Sequence, residues 1–258
     1  NWSHELGNNG PGYLTINGSC VTNQGHYITV GKVSGTVDAD LTSNVYFVDG
    51  NHPSSSSYSA FFAEYDSSAA LIRAFALSPL TNKTSFEAVA VDDNGNIFVT
   101  GGMQDSAYLD PYNPYSITAV NGPNGMDAFI AKYDASMHLI WVKSFPTAYS
   151  ISPKKILIDH QNNIILAGDF NNTVDIDPSN AIHNLASYSG GSAASDAFLA
   201  KFDQNGLLQW AKNLGTTVND FIGGIAIDNS NNIYIGVNYE GDVAFIDSLV
   251  MVSSPSVN

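Results

Sequence analysis

The chain repeats one pattern of short apolar segments at steps of 68 and 69 residues, and this repeat limits its fold more than any other feature. Strand A is seen as SAFFAEYD (59–66), DAFIAKYD (127–134) and DAFLAKFD (196–203). Strand B follows as LIRAFAL (71–77), LIWVKSF (139–145) and LLQWAKNL (207–214), with WSHEL (2–6) as an earlier copy. The fixed order of these segments predicts a repeat architecture.

Two more segments complete the unit. Strand C ends before a polar turn and is seen as FEAVAVDDNGN (86–96), KKILIDHQNN (154–163) and FIGGIAIDNSNN (221–232), with SCVTNQGH (19–26) as a degenerate first copy. Strand D follows as YITVG (27–31), IFVTG (97–101), IILAG (164–168) and IYIGV (233–237). Asp, Asn and Gly tolerate the conformations that tight turns need, so strands C and D are predicted to be hairpin partners.

Four short strands that repeat without a helical period are typical of β-propeller blades. Strand A is apolar on both faces, as expected for a strand packed between neighbouring sheets. We therefore predict an all-β chain, a β-propeller built from about four repeats of 67–70 residues that form part of a larger propeller. The repeats are assigned to residues 1–66, 67–134, 135–203 and 204–258 of a single segment.

Charge excludes several classes of partner. The chain has 9 Lys and Arg against 24 Asp and Glu, a formal net charge of −15, so it lacks the basic surface that binds nucleic acid or anionic membranes. No run approaches the roughly 20 apolar residues of a membrane helix. Its single cysteine, Cys20, forms neither an internal disulfide nor a thiolate zinc site.

Aspartates recur in a polar extension after strand D. The extensions are GTVDAD (35–40), AYLDP (107–111), NTVDIDP (172–178) and GDVAFID (241–247), and their recurring acidic residues are Asp38, Asp40, Asp110, Asp175 and Asp177. Carboxylates two residues apart on an extended segment point to one side and are suitable ligands for Ca²⁺. The alternative is that they cap backbone amides where the strand ends. No other cofactor is predicted.

Aromatic side chains mark the second extension. Tyr108, Tyr112 and Tyr115 are candidates for a platform that stacks on a sugar ring, or they pack the loop onto its own blade. The chain has no nucleophile elbow, P-loop or dinucleotide-binding turn, and its histidines form no recognisable catalytic group. We therefore predict no enzyme activity.

The repeated "DAF-I/L-AK-Y/F-D", "L.W.K" and "TVD.DP" patterns resemble the SBBP family of seven-bladed β-propeller repeats. The resemblance covers nearly the whole chain. It implies a secreted or surface protein of bacteria, notably of the Bacteroidetes, where many such proteins leave the cell by type IX secretion. It also implies neighbouring domains, because about seven such repeats need more than 258 residues. Arg73 departs from the pattern, since it replaces a Trp, as do Ala244 and Ile246, which replace aspartates of the extension.

Function on such a fold lies in loops that vary between copies. The sequence predicts a non-catalytic extracellular scaffold for adhesion or protein interaction at a bacterial cell surface. One alternative is a glycan-binding module, which needs exposed aromatics beside Asp or Asn. Another is an enzyme or accessory domain with convergent carboxylates at the propeller mouth.

Overall fold

A computed structural model of the chain describes residues 12–50, 57–77, 83–104, 106–113, 116–118, 126–145, 150–188, 194–239 and 250–251. Within this part every regular element is a β-strand. None of the described residues belongs to a helix that has the length and apolar character to cross a membrane. The chain divides into two compact units, Asn1–Val142 and Lys143–Asn258.

The first unit contains two large antiparallel sheets. The first sheet has the order β1-β2-β4-β5, with β3 paired to β2; its strands are β1 (Tyr13–Val21), β2 (Tyr27–Asp38), β3 (Phe47–Gly50), β4 (Ser59–Tyr65) and β5 (Leu71–Leu77). The second has the order β6-β7-β10-β11; its strands are β6 (Lys83–Val91), β7 (Ile97–Gln104), β10 (Asp127–Tyr133) and β11 (Leu139–Phe145). A separate pair is formed by β8 (Ser106–Tyr108) and β9 (Ser116–Thr118).

The second unit repeats this arrangement. Its four-stranded sheet has the order β12-β13-β16-β17, and a separate pair joins β14 to β15. The last sheet pairs β18 with β19, and β19 with a parallel β20. The strands are β12 (Ile151–Ile158), β13 (Ile164–Asn171), β14 (Thr173–Asp175), β15 (Asn184–Ala186), β16 (Ser195–Phe202), β17 (Leu208–Asn213), β18 (Asp220–Ile227), β19 (Ile233–Tyr239) and β20 (Val250–Met251).

Each four-stranded sheet joins strands C, D, A and B in that order, so the predicted all-β class and the C–D hairpins are confirmed. The ends of the predicted repeats, at residues 66, 134 and 203, fall inside these sheets, because strands A and B are themselves hairpin partners. A sheet therefore begins with strand C. The WSHEL segment lies outside the described residues.

One turn geometry closes the hairpins. In the A–B turn of the first sheet, Asp66 Oδ1 accepts the backbone N–H groups of Ser68 and Ala70 at 2.8 and 2.9 Å. The same capping bonds are made by Thr22, Asp92, Asp134, Asp159, Asp203 and Asp228. The residue three positions after the cap has a positive φ; these residues are Gly25, Ala69, Gly95, Met137, Asn162, Gly206 and Asn231. The prediction that strands C and D are joined by hairpin turns is confirmed.

Strand A lies in the core. Every residue of β4 and β10 is buried, which confirms the expectation that this strand is covered on both faces. In the first unit, Phe62 of the first sheet and Phe86 and Phe129 of the second belong to one apolar cluster. The strand ends and the segments after strand D are therefore the parts of each copy left free to form a site.

Candidate functional site

The extension after strand D forms a short insertion hairpin in each of three copies: β2–β3, β8–β9 and β14–β15. The registers are equivalent, since Asp38 faces Phe47, Tyr108 faces Ser116 and Asp175 faces Asn184. We use the name insertion hairpins for these three pairs. They are the part of the repeat that varies most in sequence.

The first aspartate of an extension closes its hairpin. Asp38 Oδ1 accepts the backbone N–H groups of Asp40 at 3.1 Å and Tyr46 at 2.9 Å. Asp175 Oδ1 makes the same two bonds, to Asp177 at 3.1 Å and to His183 at 2.9 Å. Each carboxylate thus bridges the two arms of its hairpin.

The second aspartate caps the next turn. Asp40, Asp110 and Asp177 each accept the backbone N–H two residues later at 2.8, 2.8 and 2.9 Å. The capping interpretation of the five recurring aspartates is therefore confirmed. No group of three or more His, Cys, Asp or Glu side chains suited to a metal ion occurs among the described residues. Ca²⁺ binding by these five carboxylates stays a prediction.

Strand A anchors the hairpins of the first two copies. Tyr65 Oη donates a hydrogen bond to the Ala39 carbonyl at 2.9 Å, and Tyr133 Oη donates one to the Leu109 carbonyl at 2.7 Å. Burial first, and then nearby aspartates, raise the pKa of both phenols, so both remain protonated donors. The third copy has Phe202 at this position and lacks the bond.

Large apolar side chains point to solvent from the insertion hairpins. Val45, Tyr46 and Phe47 in the first hairpin are 55%, 47% and 56% exposed. Ile182 occupies the same position as Val45 in the third hairpin and is 78% exposed. Exposed aromatic and aliphatic groups that cluster on one element are typical of interaction surfaces.

The predicted tyrosine platform is only partly described. Tyr108 is half-buried in β8, and Tyr112 is exposed and packs on His138, with ring centroids 4.8 Å apart. Tyr115 lies outside the described residues. The strand registers of the insertion hairpins make Tyr46 the equivalent of Tyr115 in the first copy. The sequence signal for Tyr46 was the apolar run Val45–Phe47 inside a polar extension, which repeat matching alone does not highlight.

A second feature is a polar cluster at the turn end of the first unit. Glu64 is buried, and its Oε1 lies 2.8 Å from His26 Nδ1 while its Oε2 lies 2.5 Å from Arg73 Nη2. Arg73 Nη2 also donates to the Ala135 carbonyl at 2.8 Å. The cluster ties the first sheet to a turn of the second.

The cluster arises because the first copy departs from the repeat at three positions at once. Glu64 stands where the other copies have Lys132 and Lys201, Arg73 replaces the Trp, and His26 replaces a turn Asn. In the third copy the strand A residue carries the opposite charge, since Lys201 replaces Glu64. Its Nζ pairs with Asp159 Oδ2 at 2.7 Å. The sequence flagged Arg73; Glu64 and His26 were missed because their contact joins different strands.

The cluster borders a small pocket. Its volume is about 150 Å³, well below the range of 300–1,000 Å³ typical of drug-sized ligands. A pocket of this size suits a small polar ligand such as one sugar ring. Its lining residues include Thr22, Asn23, Gln24, Glu64, Arg73 and Asn94.

Comparison with known proteins supports the fold class. No protein-family model matches the chain. The chain is similar to an uncharacterized WD repeat-containing protein of Acanthamoeba polyphaga mimivirus, with 22% identity in an alignment 171 residues long that covers 59% of this chain and 12% of that protein. A crystal structure of a protein of unknown function from Bacteroides caccae matches with a TM-score of 0.25 and 12% identity, over 68% of this chain and 78% of that one. The repeated sheets and the WD-repeat relative together indicate a repeat, β-propeller-like fold.

Proposed function

We propose that the chain is a non-catalytic extracellular β-propeller scaffold of the SBBP type that serves adhesion or protein interaction at a bacterial cell surface. The observation that carries this proposal is the exposure of Val45, Tyr46 and Phe47 on an insertion hairpin that is otherwise tightly anchored. The Bacteroidetes origin, type IX export and propeller of about seven blades rest on the repeat patterns and form part of the proposal.

Anchoring matters for affinity because a rigid apolar surface loses little conformational entropy on binding. The first hairpin is held by the Asp38 bridge and by the Tyr65 bond to Ala39. Tyr46 and Phe47 therefore stay exposed on a fixed backbone. Aromatic side chains of this kind are enriched among residues that dominate protein–protein affinity.

The test uses beads coated with the chain. It measures how strongly these beads adhere to intact bacterial cells and to immobilised proteins. The triple variant V45S/Y46S/F47S should bind at least tenfold more weakly, which corresponds to about 1.4 kcal/mol. The matched control I72S/I140S removes exposed apolar groups from strand B and should bind as the wild type does. Equal binding by the triple variant contradicts the proposal.

A second candidate, glycan binding, is favoured by the polar pocket beside Glu64 and Arg73. Its amide and carboxylate side chains match the hydroxyl groups of a single sugar ring. Calorimetric titration with monosaccharides tests it, with N94A as the variant expected to weaken binding. Competition of bead adhesion by the same sugars would favour this candidate over protein interaction.

A further inference from the structure

Two buried carboxylates lie between the last two sheets of the second unit. Asp196, in β16, and Asp220, at the start of β18, are both fully buried. The charge of Asp220 acts on Asp196 and, after burial itself, contributes to raising the pKa of Asp196. One short loop contacts both carboxylates, since Gly215 lies against Asp196 and the next residue, Thr216, donates a hydrogen bond to Asp220.

Each carboxylate has one oxygen in use and one oxygen free. Asp196 Oδ2 accepts hydrogen bonds from Tyr188 N at 2.9 Å and Asn213 Nδ2 at 2.7 Å. Asp220 Oδ2 accepts bonds from the backbone N–H and the hydroxyl group of Thr216. Asp196 Oδ1 and Asp220 Oδ1 are buried without a hydrogen-bond partner among the described residues.

The ion pairs His26–Glu64, Arg73–Glu64, His138–Asp134 and Lys201–Asp159 involve neither Asp196 nor Asp220. An unpaired buried carboxylate is costly, and buried charges in proteins are paired or bind metal ions. Two such groups side by side therefore point to a cation that bridges them.

The loop between β17 and β18 is built closely around the pair. A Cβ atom on Gly215 would lie 2.2 Å from the Asp196 Cγ, so only glycine fits there. Thr216 holds Asp220, and Asn219 Oδ1 accepts the backbone N–H of Ser195 at 3.1 Å. The free oxygens are thus fixed in place rather than mobile on a surface.

The internal repeat shows that the pair is specific to this end of the chain. In the first unit the equivalent positions, between the first two sheets, are Ser59 and Thr84. Both are buried, and both hydroxyl oxygens lack a partner among the described residues. Strand A of the second sheet also has a buried aspartate, Asp127, but the strand C position that follows it is Ile151. Two carboxylates at these equivalent positions therefore occur only as Asp196 and Asp220.

We propose that Asp196 and Asp220 bind one divalent cation of the Ca²⁺ type through their free Oδ1 atoms. Ca²⁺ takes six to eight oxygen ligands, which include carboxylates, carbonyl groups and water. The Thr216 hydroxyl is a neutral oxygen beside the Asp220 carboxylate. The bound ion fastens the start of β18 to β16. This site is separate from the five capped aspartates and does not depend on the proposed function.

The test is calorimetric titration of the whole chain with Ca²⁺, after EDTA treatment, with Mg²⁺ as the control for charge screening. We expect one Ca²⁺ per chain. We also expect a melting temperature that rises by about 5–10 °C at a Ca²⁺ concentration 100-fold above the Kd. Absence of Ca²⁺ binding by the wild type overturns the proposal.

Two variants locate the ion. D196S/D220T carries the residues that the first unit has at these positions and should lose both the binding heat and the temperature shift. D175S/D177S changes the capped aspartates of the third hairpin and should keep both. If D196S/D220T does not fold, as judged by circular dichroism, the isosteric D220N replaces it. Retention of Ca²⁺ binding in the folded Asp196 or Asp220 variant overturns the assignment.

Discussion

At the scale of single residues, aspartates with different surroundings have opposite effects on stability. Asp159 caps its turn and pairs with Lys201, and these hydrogen bonds outweigh burial, so its pKa is lowered. Asp196 has no cation partner among the described residues, and burial raises its pKa. The same residue type is therefore stabilising when ionised in one place and costly when ionised in the other.

Asp159→Ala should lower the free energy of unfolding by about 2–4 kcal/mol, because it removes a cap and leaves Lys201 without its buried partner. Urea denaturation measures the loss. Asp228→Ala is the matched control, since Asp228 makes the same capping bonds and is only partly buried. An equal loss in the two variants would contradict the role given to the Lys201 pair.

The effect of Asp159→Ala should also depend on pH. A lowered pKa in the folded state gives stability that is present above the unfolded value of about 3.9 and is lost as the pH falls through the folded value. The difference between wild type and variant should therefore shrink below about pH 4. For Asp196→Ser, measured in EDTA, we expect the opposite pH dependence. The raised pKa of Asp196 gives the wild type a stability that is lost as the pH rises. Urea midpoints at several pH values test both, and a difference independent of pH contradicts this account.

At the scale of the elements, the framework is a set of C–D–A–B sheets closed by one kind of turn. Most of this was predictable, because strand patterns and turn residues are local signals. The strand at which each sheet begins was not predictable, because the repeat pattern alone does not show which strands pair across the boundary between two repeats. The contact of Glu64 with His26 was also not predictable, because it joins a strand to a turn and its two residues are 38 positions apart.

The A–B turn of the first sheet places Ala69 at a φ of 67°. Ala69→Gly should stabilise the chain by about 0.5–1 kcal/mol, because glycine adopts this conformation without steric cost. Gly95→Ala, at a φ of 81° in a C–D turn, should destabilise it by a similar amount, although its Cβ would find ordinary contact distances. Thermal melting of both variants checks the prediction, and shifts of the same sign would refute it.

The hydrogen bond from Tyr133 that anchors the second insertion hairpin can be removed by deleting one oxygen atom. Tyr133→Phe deletes the donor to the Leu109 carbonyl, which is fully buried, and should cost about 1–3 kcal/mol. Amide hydrogen exchange in β8 and β9 should accelerate more than in β6. Tyr13→Phe is the control, since Tyr13 is largely exposed. Unchanged exchange in the hairpin would show that Tyr133 does not hold it.

At the scale of the whole molecule, repetition and variation are separated in space. Capped turns recur in all four copies and buried A strands in three, whereas the insertion hairpins differ and carry exposed apolar groups. The sequence predicted that function lies in the loops that vary between copies. It did not predict Tyr46 and Phe47, nor the meeting of Asp196 with Asp220, because these depend on hairpin register and on the packing of successive sheets.

The most direct test of this separation measures adhesion and melting temperature together in two variants. V45S/Y46S/F47S should lose adhesion at least tenfold and melt within about 2 °C of the wild type, because the changed side chains are exposed. Asp159→Ala should melt several degrees lower and, below that temperature, adhere as the wild type does. Full adhesion by the hairpin variant, at an unchanged melting temperature, would contradict the account.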